Sequence, residues 1–114
     1  MAYGFNDNKS KKTIKDLNGI GDIPLTGSGE KKTISAGQTR RFLFQSSWIF
    51  PENVVGVLGI VLKDTSGNIP RVTIGEFDFK ETGTYAAYEV TLTNPTNQTV
   101  YLSNNSKIRV RIPT

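Results

Sequence analysis

Short runs in which apolar and polar residues alternate fill this chain from residue 31 to its end, and they are separated by Gly, Asn, Pro, Asp and Thr. That is the pattern of β-strands joined by turns. Lys32 to Ala36 forms a first strand, and Ala36-Gly37-Gln38 a turn. Arg40 to Ser46 follows, with Phe42 and Phe44 on one face. Val54 to Leu62 is a nearly continuous apolar run, VVGVLGIVL, which fits a strand buried on both faces. A helix competes for that run, but Gly56, Gly59 and the β-branched content count against it. Asp64 to Asn68 is a turn by composition. In Arg71 to Lys80 the apolar positions change phase, from Val72 and Ile74 to Phe77 and Phe79. A β-bulge at Gly75-Glu76 would produce that shift.

The remaining strands are cleaner. Tyr85 to Thr93 puts Tyr88, Val90 and Leu92 on one face and Glu89, Thr91 and Thr93 on the other. That alternation predicts a half-buried antiparallel strand. Asn94-Pro95-Thr96-Asn97 is a strong turn, Gln98 to Ser103 a short strand, and Asn104-Asn105 another turn. Lys107 to Ile112 closes the chain with Ile108, Val110 and Ile112 inward and Lys107, Arg109 and Arg111 outward. The fold class is therefore all-β. The expected architecture is a single antiparallel β-sandwich of about seven strands, jelly-roll or immunoglobulin-like, with Val90 and Leu92 facing Ile108 and Val110 across the core.

Residues 1–30 differ. Their apolar residues are scattered, and Gly19 and Gly21 oppose a long helix. The stretch GDIPLTGSGE reads as a linker or extended arm. The expected division is an N-terminal arm over 1–30 and a sandwich domain over 31–114. Tyr3 and Phe5 favour an arm that docks on a neighbour, because a solvated tail has little use for two aromatics.

Composition narrows the chemistry. The 114 residues suit one domain, and 36% of them are hydrophobic, with 11 Gly. There is no His and no Cys. Most nucleophile–base pairs, most transition-metal sites and any disulfide are thereby excluded. The chain reads as a non-enzyme, and no cofactor or metal is expected. Glu76 and Asp78 share one strand face, but it is the wet one, opposite Phe77 and Phe79. Asp64, Asn68 and Asp78 offer oxygen ligands without the spacing of a calcium loop. There is no P-loop or dinucleotide fingerprint. The formal charge of +4 is modest and interleaved with acids, so nucleic acid is an unlikely partner. No segment approaches the roughly 20 apolar residues of a membrane span, and the opening lacks the apolar core of a secretory signal. The Asn-x-Ser/Thr patterns at Asn8, Asn97 and Asn104 are chance matches in such a chain.

Aromatics are the remaining candidates. Trp48, Phe50, Tyr85, Tyr88 and Tyr101 offer stacking surface for sugar or single-stranded nucleic acid, with core or interface packing as the commoner use. Trp48 stands out because SSWIFPEN breaks the strand alternation just before a Pro. Trp48 and Phe50, with Tyr3 and Phe5, are the candidate interface residues.

The opening MAYGFNDNKSK, through Tyr3-Gly4-Phe5-Asn6-Asp7 and Lys9-Ser10-Lys11, resembles the start of small virion-associated proteins of bacteriophages and prophages of Gram-positive bacteria. These include tail, baseplate and fibre components. The later segments TISAGQTRRFLF, VVGVLGIVL, VTLTNPTNQTVYL and KIRVRI resemble β-sandwich domains of phage tail tips and receptor-binding proteins. The resemblance implies a non-enzymatic virion subunit, a homotrimer that contacts other virion proteins through its N-terminal arm. The alternatives are a carbohydrate-binding module for host surface glycan and a capsid decoration protein.

Overall fold

The computed structural model describes residues 19–27, 32–80 and 83–113. Eight strands lie in these segments: β1 (Gly19–Pro24), β2 (Thr33–Ile34), β3 (Thr39–Gln45), β4 (Gly56–Val61), β5 (Thr73–Lys80), β6 (Ala87–Thr93), β7 (Val100–Tyr101) and β8 (Lys107–Ile112). Pro51–Asn53 makes one 3-10 turn. Among the described residues, no helix is long and apolar enough to cross a membrane.

The strands form two three-stranded antiparallel sheets, β1-β8-β4 and β3-β6-β5, and a small β2-β7 pair. The pairs β1–β8, β2–β7 and β3–β6 are nested, first with last and inward from there. The nesting stops there, because β4 pairs with β8 and β5 with β6 and not with each other. The two sheets enclose one core, which includes Ile23, Phe44, Val90, Leu92, Ile108 and Val110. Val90 and Leu92 on central β6, and Ile108 and Val110 on central β8, have no exposed surface. The alternation in these two strands thus assigned their inward faces correctly.

Three further expectations hold in detail. Gly37 and Gly67 have φ of +71° and +86°, the left-handed conformation that turns assign to glycine. The Asp64 carboxylate accepts hydrogen bonds from the backbone N–H of Ser66 and Asn68, both at 2.9 Å, and so shapes its own turn. The register of β5 against β6 shifts between Ile74 and Phe77, which places the bulge at Gly75-Glu76.

The boundary at residue 30 needs correction. Gly19–Pro24 is a full strand of the sandwich, paired with β8 along its length, and Ile23 and Leu25 are buried. Leu25 also bridges Phe44, and Thr26 N–H donates to Leu43 O at 3.0 Å. So β1 joins the two sheets along one side of the sandwich. Gly19 and Gly21, which counted against a helix, occupy inward positions opposite Ile112 and Val110. A Cβ on Gly21 would lie 2.6 Å from Ile49 Cδ1 and 3.2 Å from Ile112 Cδ1. Any side chain there would have to displace the end of the buried Ile49 side chain. Residues 1–18, which hold the rest of the arm, lie outside the described residues.

A contrast between two glycines follows. Gly21→Val overfills the core and costs about 1–3 kcal/mol. Gly56→Val meets open space, and its cost is within about 0.5 kcal/mol. Chemical denaturation of the two variants measures the difference.

The second correction concerns VVGVLGIVL. It is not buried on both faces. Its β4 is the outer strand of its sheet, and Val55, Val57 and Leu58 are exposed. Only Leu62, beyond the strand end, is fully buried.

Candidate interaction surface

The segment Ser46–Pro51 is built around one inward side chain. Ile49 is buried in the core. Its backbone is clamped on both sides. Ser46 Oγ accepts from Ile49 N–H at 3.2 Å and donates to Ile49 O at 3.1 Å. Ala86 N–H donates to Ile49 O at 2.7 Å, and Ser46 N–H donates to Ala86 O at 3.0 Å. With Ile49 pinned inward, its neighbours in an extended chain must point out. Trp48 is 57% exposed and Phe50 42%. Phe50 stacks on Tyr85, with ring centroids 5.5 Å apart and planes 26° apart. The structure therefore brings Phe50 and Tyr85 together and leaves a large indole uncovered beside a rigid bend. Tyr3 and Phe5 lie outside the described residues.

A second apolar surface was not expected from the sequence. It lies at β4 and β5, the outer strands on the side away from the β1–β3 junction. Val57 and Ile60 of β4 sit opposite Val110 and Ile108, so they point toward the core. Ile74, Phe77 and Phe79 of β5 sit opposite Leu92, Val90 and Tyr88, and they also point inward. Yet Val57, Ile74 and Phe79 remain substantially exposed. Among the described residues no strand completes the sandwich on this side, so inward side chains at both edges reach solvent. Single exposed apolar residues are ordinary, and here they recur on the outer strands of both sheets on one side. Hydropathy alone could not reveal it, because a strand edge and a buried strand carry the same apolar run.

Little else in the described residues offers chemistry. Glu76 and Asp78 are both exposed, as their shared strand face implied. A shallow depression of about 370 Å³ lies between the Asp64–Arg71 and Thr96–Tyr101 segments, with Ile69 and Tyr101 on its rim. The acid nearest to it, Asp64, is already engaged with its own turn. Burial raises the Tyr88 phenol above its ordinary pKa. Its ring meets Phe79 edge-on at 5.1 Å, an arrangement that serves packing.

Comparison with protein-family models, with curated proteins and with solved structures returned no match. The functional reading therefore rests on the surfaces of the chain itself.

The charged surface is uneven. On the outer face of the β1-β8-β4 sheet, Lys107, Arg109 and Arg111 form a row. Asp22 answers part of it, 3.7 Å from Lys107 and 3.5 Å from Arg109. On the outer face of the other sheet Glu89 meets Arg41 at 3.4 Å and Lys80 at 3.5 Å. All four pairs are solvent-accessible and add little stability. What they set is the polarity of each face.

Proposed function

We propose that this chain is a non-enzymatic structural component of a bacteriophage particle, a tail, baseplate or fibre subunit that works by self-association as a homotrimer. The observation that carries the self-association is the bend at Ser46–Pro51. It fixes Ile49 inward and holds Trp48 and Phe50 out at 57% and 42% exposure. A small domain without disulfides gains stability when copies of itself cover such surface. The phage assignment is supported by the resemblance of the opening residues. In this reading the segment before β1 contacts other virion proteins, and the sandwich is the packing or exposed unit.

The experiment has two parts. Replacing Trp48 and Phe50 together by Ser should shift the solution mass toward monomer while far-ultraviolet circular dichroism stays β-type. An unchanged mass removes these residues from the contact. Antibody raised against the purified chain should label gradient-purified particles released by the bacterium that carries its gene. Particles that lack the protein contradict the virion assignment.

One observation favours a second reading, a module that binds host surface glycan. The Phe50–Tyr85 stack and the uncovered Trp48 offer flat rings of the kind on which sugars lie. A glycan array probed with the protein and with Trp48→Ala separates the two. Binding that Trp48→Ala abolishes supports the glycan module. A capsid decoration protein remains the third reading, and labelling of heads instead of tails would select it.

A further inference from the structure

We infer that the open side of the sandwich is the contact between copies of this chain, with the β4 edge of one copy beside the β5 edge of the next. This rests on the self-association proposed above and adds the two strand edges to Trp48 and Phe50 as contact surface.

Three features of the two edges fit each other. Both are apolar. Val57 and Leu58 are exposed on β4, and Ile74 and Phe79 on β5. Their strand sense also fits. β1 runs antiparallel to β3 at the Leu25–Phe44 bridge, β4 is parallel to β1 through β8, and β5 is parallel to β3 through β6. So β4 and β5 are antiparallel within one copy. They stay so between copies related by rotation about an axis along the strands. Successive copies then meet head to tail, and the contact closes into a ring.

The charges decide the pairing. Gly56 and Gly59 of β4 sit opposite Arg111 and Arg109 of β8, on the outward face. Nothing lies within 4 Å of a Cβ built on either glycine. The β4 edge therefore has a low, uncovered margin, and a side chain from another copy can cross it to reach the arginines. On β5 the outward residues Glu76 and Asp78 are exposed, and neither side chain takes part in an ion pair or hydrogen bond among the described residues. Their spacing of two residues along a strand is about 7 Å, which matches that of Arg109 and Arg111. Joining β4 to β4 would bring like charges together, and so would joining β5 to β5. Joining β4 to β5 sets acids against bases.

Both edges also carry a bulge, between Val57 and Gly59 and between Ile74 and Phe77. A bulge interrupts a continuous ladder of backbone bonds and guards an edge against indiscriminate pairing. The contact is therefore selected by side chains: apolar residues at its centre and charges on its outer rim.

The test uses the full chain and two variants on different strands. Glu76→Lys with Asp78→Lys reverses the acidic rim. Gly59→Glu fills the open margin and faces the neighbour's acids. Each position is exposed, so circular dichroism and the thermal midpoint should stay close to those of the unmodified chain. Sedimentation equilibrium reads association. The unmodified chain should self-associate, and each variant should do so at least about tenfold more weakly. If one variant does not fold, the other decides. An unmodified chain that is monomeric at high micromolar concentration overturns this contact and the self-association behind it. An oligomer whose strength neither variant changes overturns this contact alone and leaves self-association standing.

Discussion

Asn94→Ala should lower the free energy of unfolding by about 3 kcal/mol. Asn94 has no exposed surface, and its amide makes four hydrogen bonds. The Nδ2 group donates to Ile34 O at 2.9 Å and to Gln98 O at 2.7 Å. Oδ1 accepts from Thr96 N–H at 3.0 Å and from Thr96 Oγ1 at 2.7 Å. Its backbone N–H and carbonyl also reach Gln38 O and Gly37 N–H. The side chain therefore ties the end of β2 to the turn after β6, and the backbone of the same residue ties in the turn before β3. Alanine strips these partners without replacing them, and a carbonyl left unpaired in the interior costs about 1–3 kcal/mol. Asn94→Asp checks the amide's orientation. The carboxylate keeps the bonds to Thr96 but sets an oxygen against the Ile34 and Gln98 carbonyls. At neutral pH it should destabilise at least as much as alanine. A urea titration in which either variant matches the unmodified chain contradicts this account of the site.

Leu92→Ala should cost about 2–5 kcal/mol, the usual range for emptying a packed leucine site. Leu92 is on central β6, opposite Arg40 in β3 and Ile74 in β5, and it is fully buried. Leu92's own strand, β6, is held by ladders on both sides, so collapse around the cavity is limited. The urea midpoint should fall with little change in slope. A loss below about 0.5 kcal/mol would mean that Leu92 does not contribute to the core as its burial implies.

The central strands were legible because each shows one face to the core and one to water. In β8 the sequence KIRVRI writes both faces without ambiguity, and in β6 Tyr88, Val90 and Leu92 do the same. The β5 bulge was legible for a related reason: two apolar pairs out of phase require an extra residue between them. β1 was hidden because two of its inward positions are glycines. Alternation cannot be seen where the inward residue has no side chain, and at Gly21 the space is taken by Ile49, a residue distant in sequence. β4 was misread for the opposite reason. An apolar run states that its side chains avoid water, not whether the cover comes from the same chain. That ambiguity concealed the open side of the sandwich.

The aromatic surface was partly legible. SSWIF stood out because it breaks alternation before Pro51, and the structure explains the break as a bend around Ile49. Tyr85 as the partner of Phe50 was not legible, since only folding brings the two segments together. Asn94 was recognised as a turn former but not as a buried hub. Its bonds to Ile34 and Gln98 depend on the β2–β7 pairing, which local sequence does not encode.

The most direct test of the account is the mass of the unmodified chain in solution, read by sedimentation equilibrium from low to high micromolar concentration. Self-association through exposed apolar surface predicts a mass that approaches three copies as concentration rises. A mass of one copy across the whole range would contradict it.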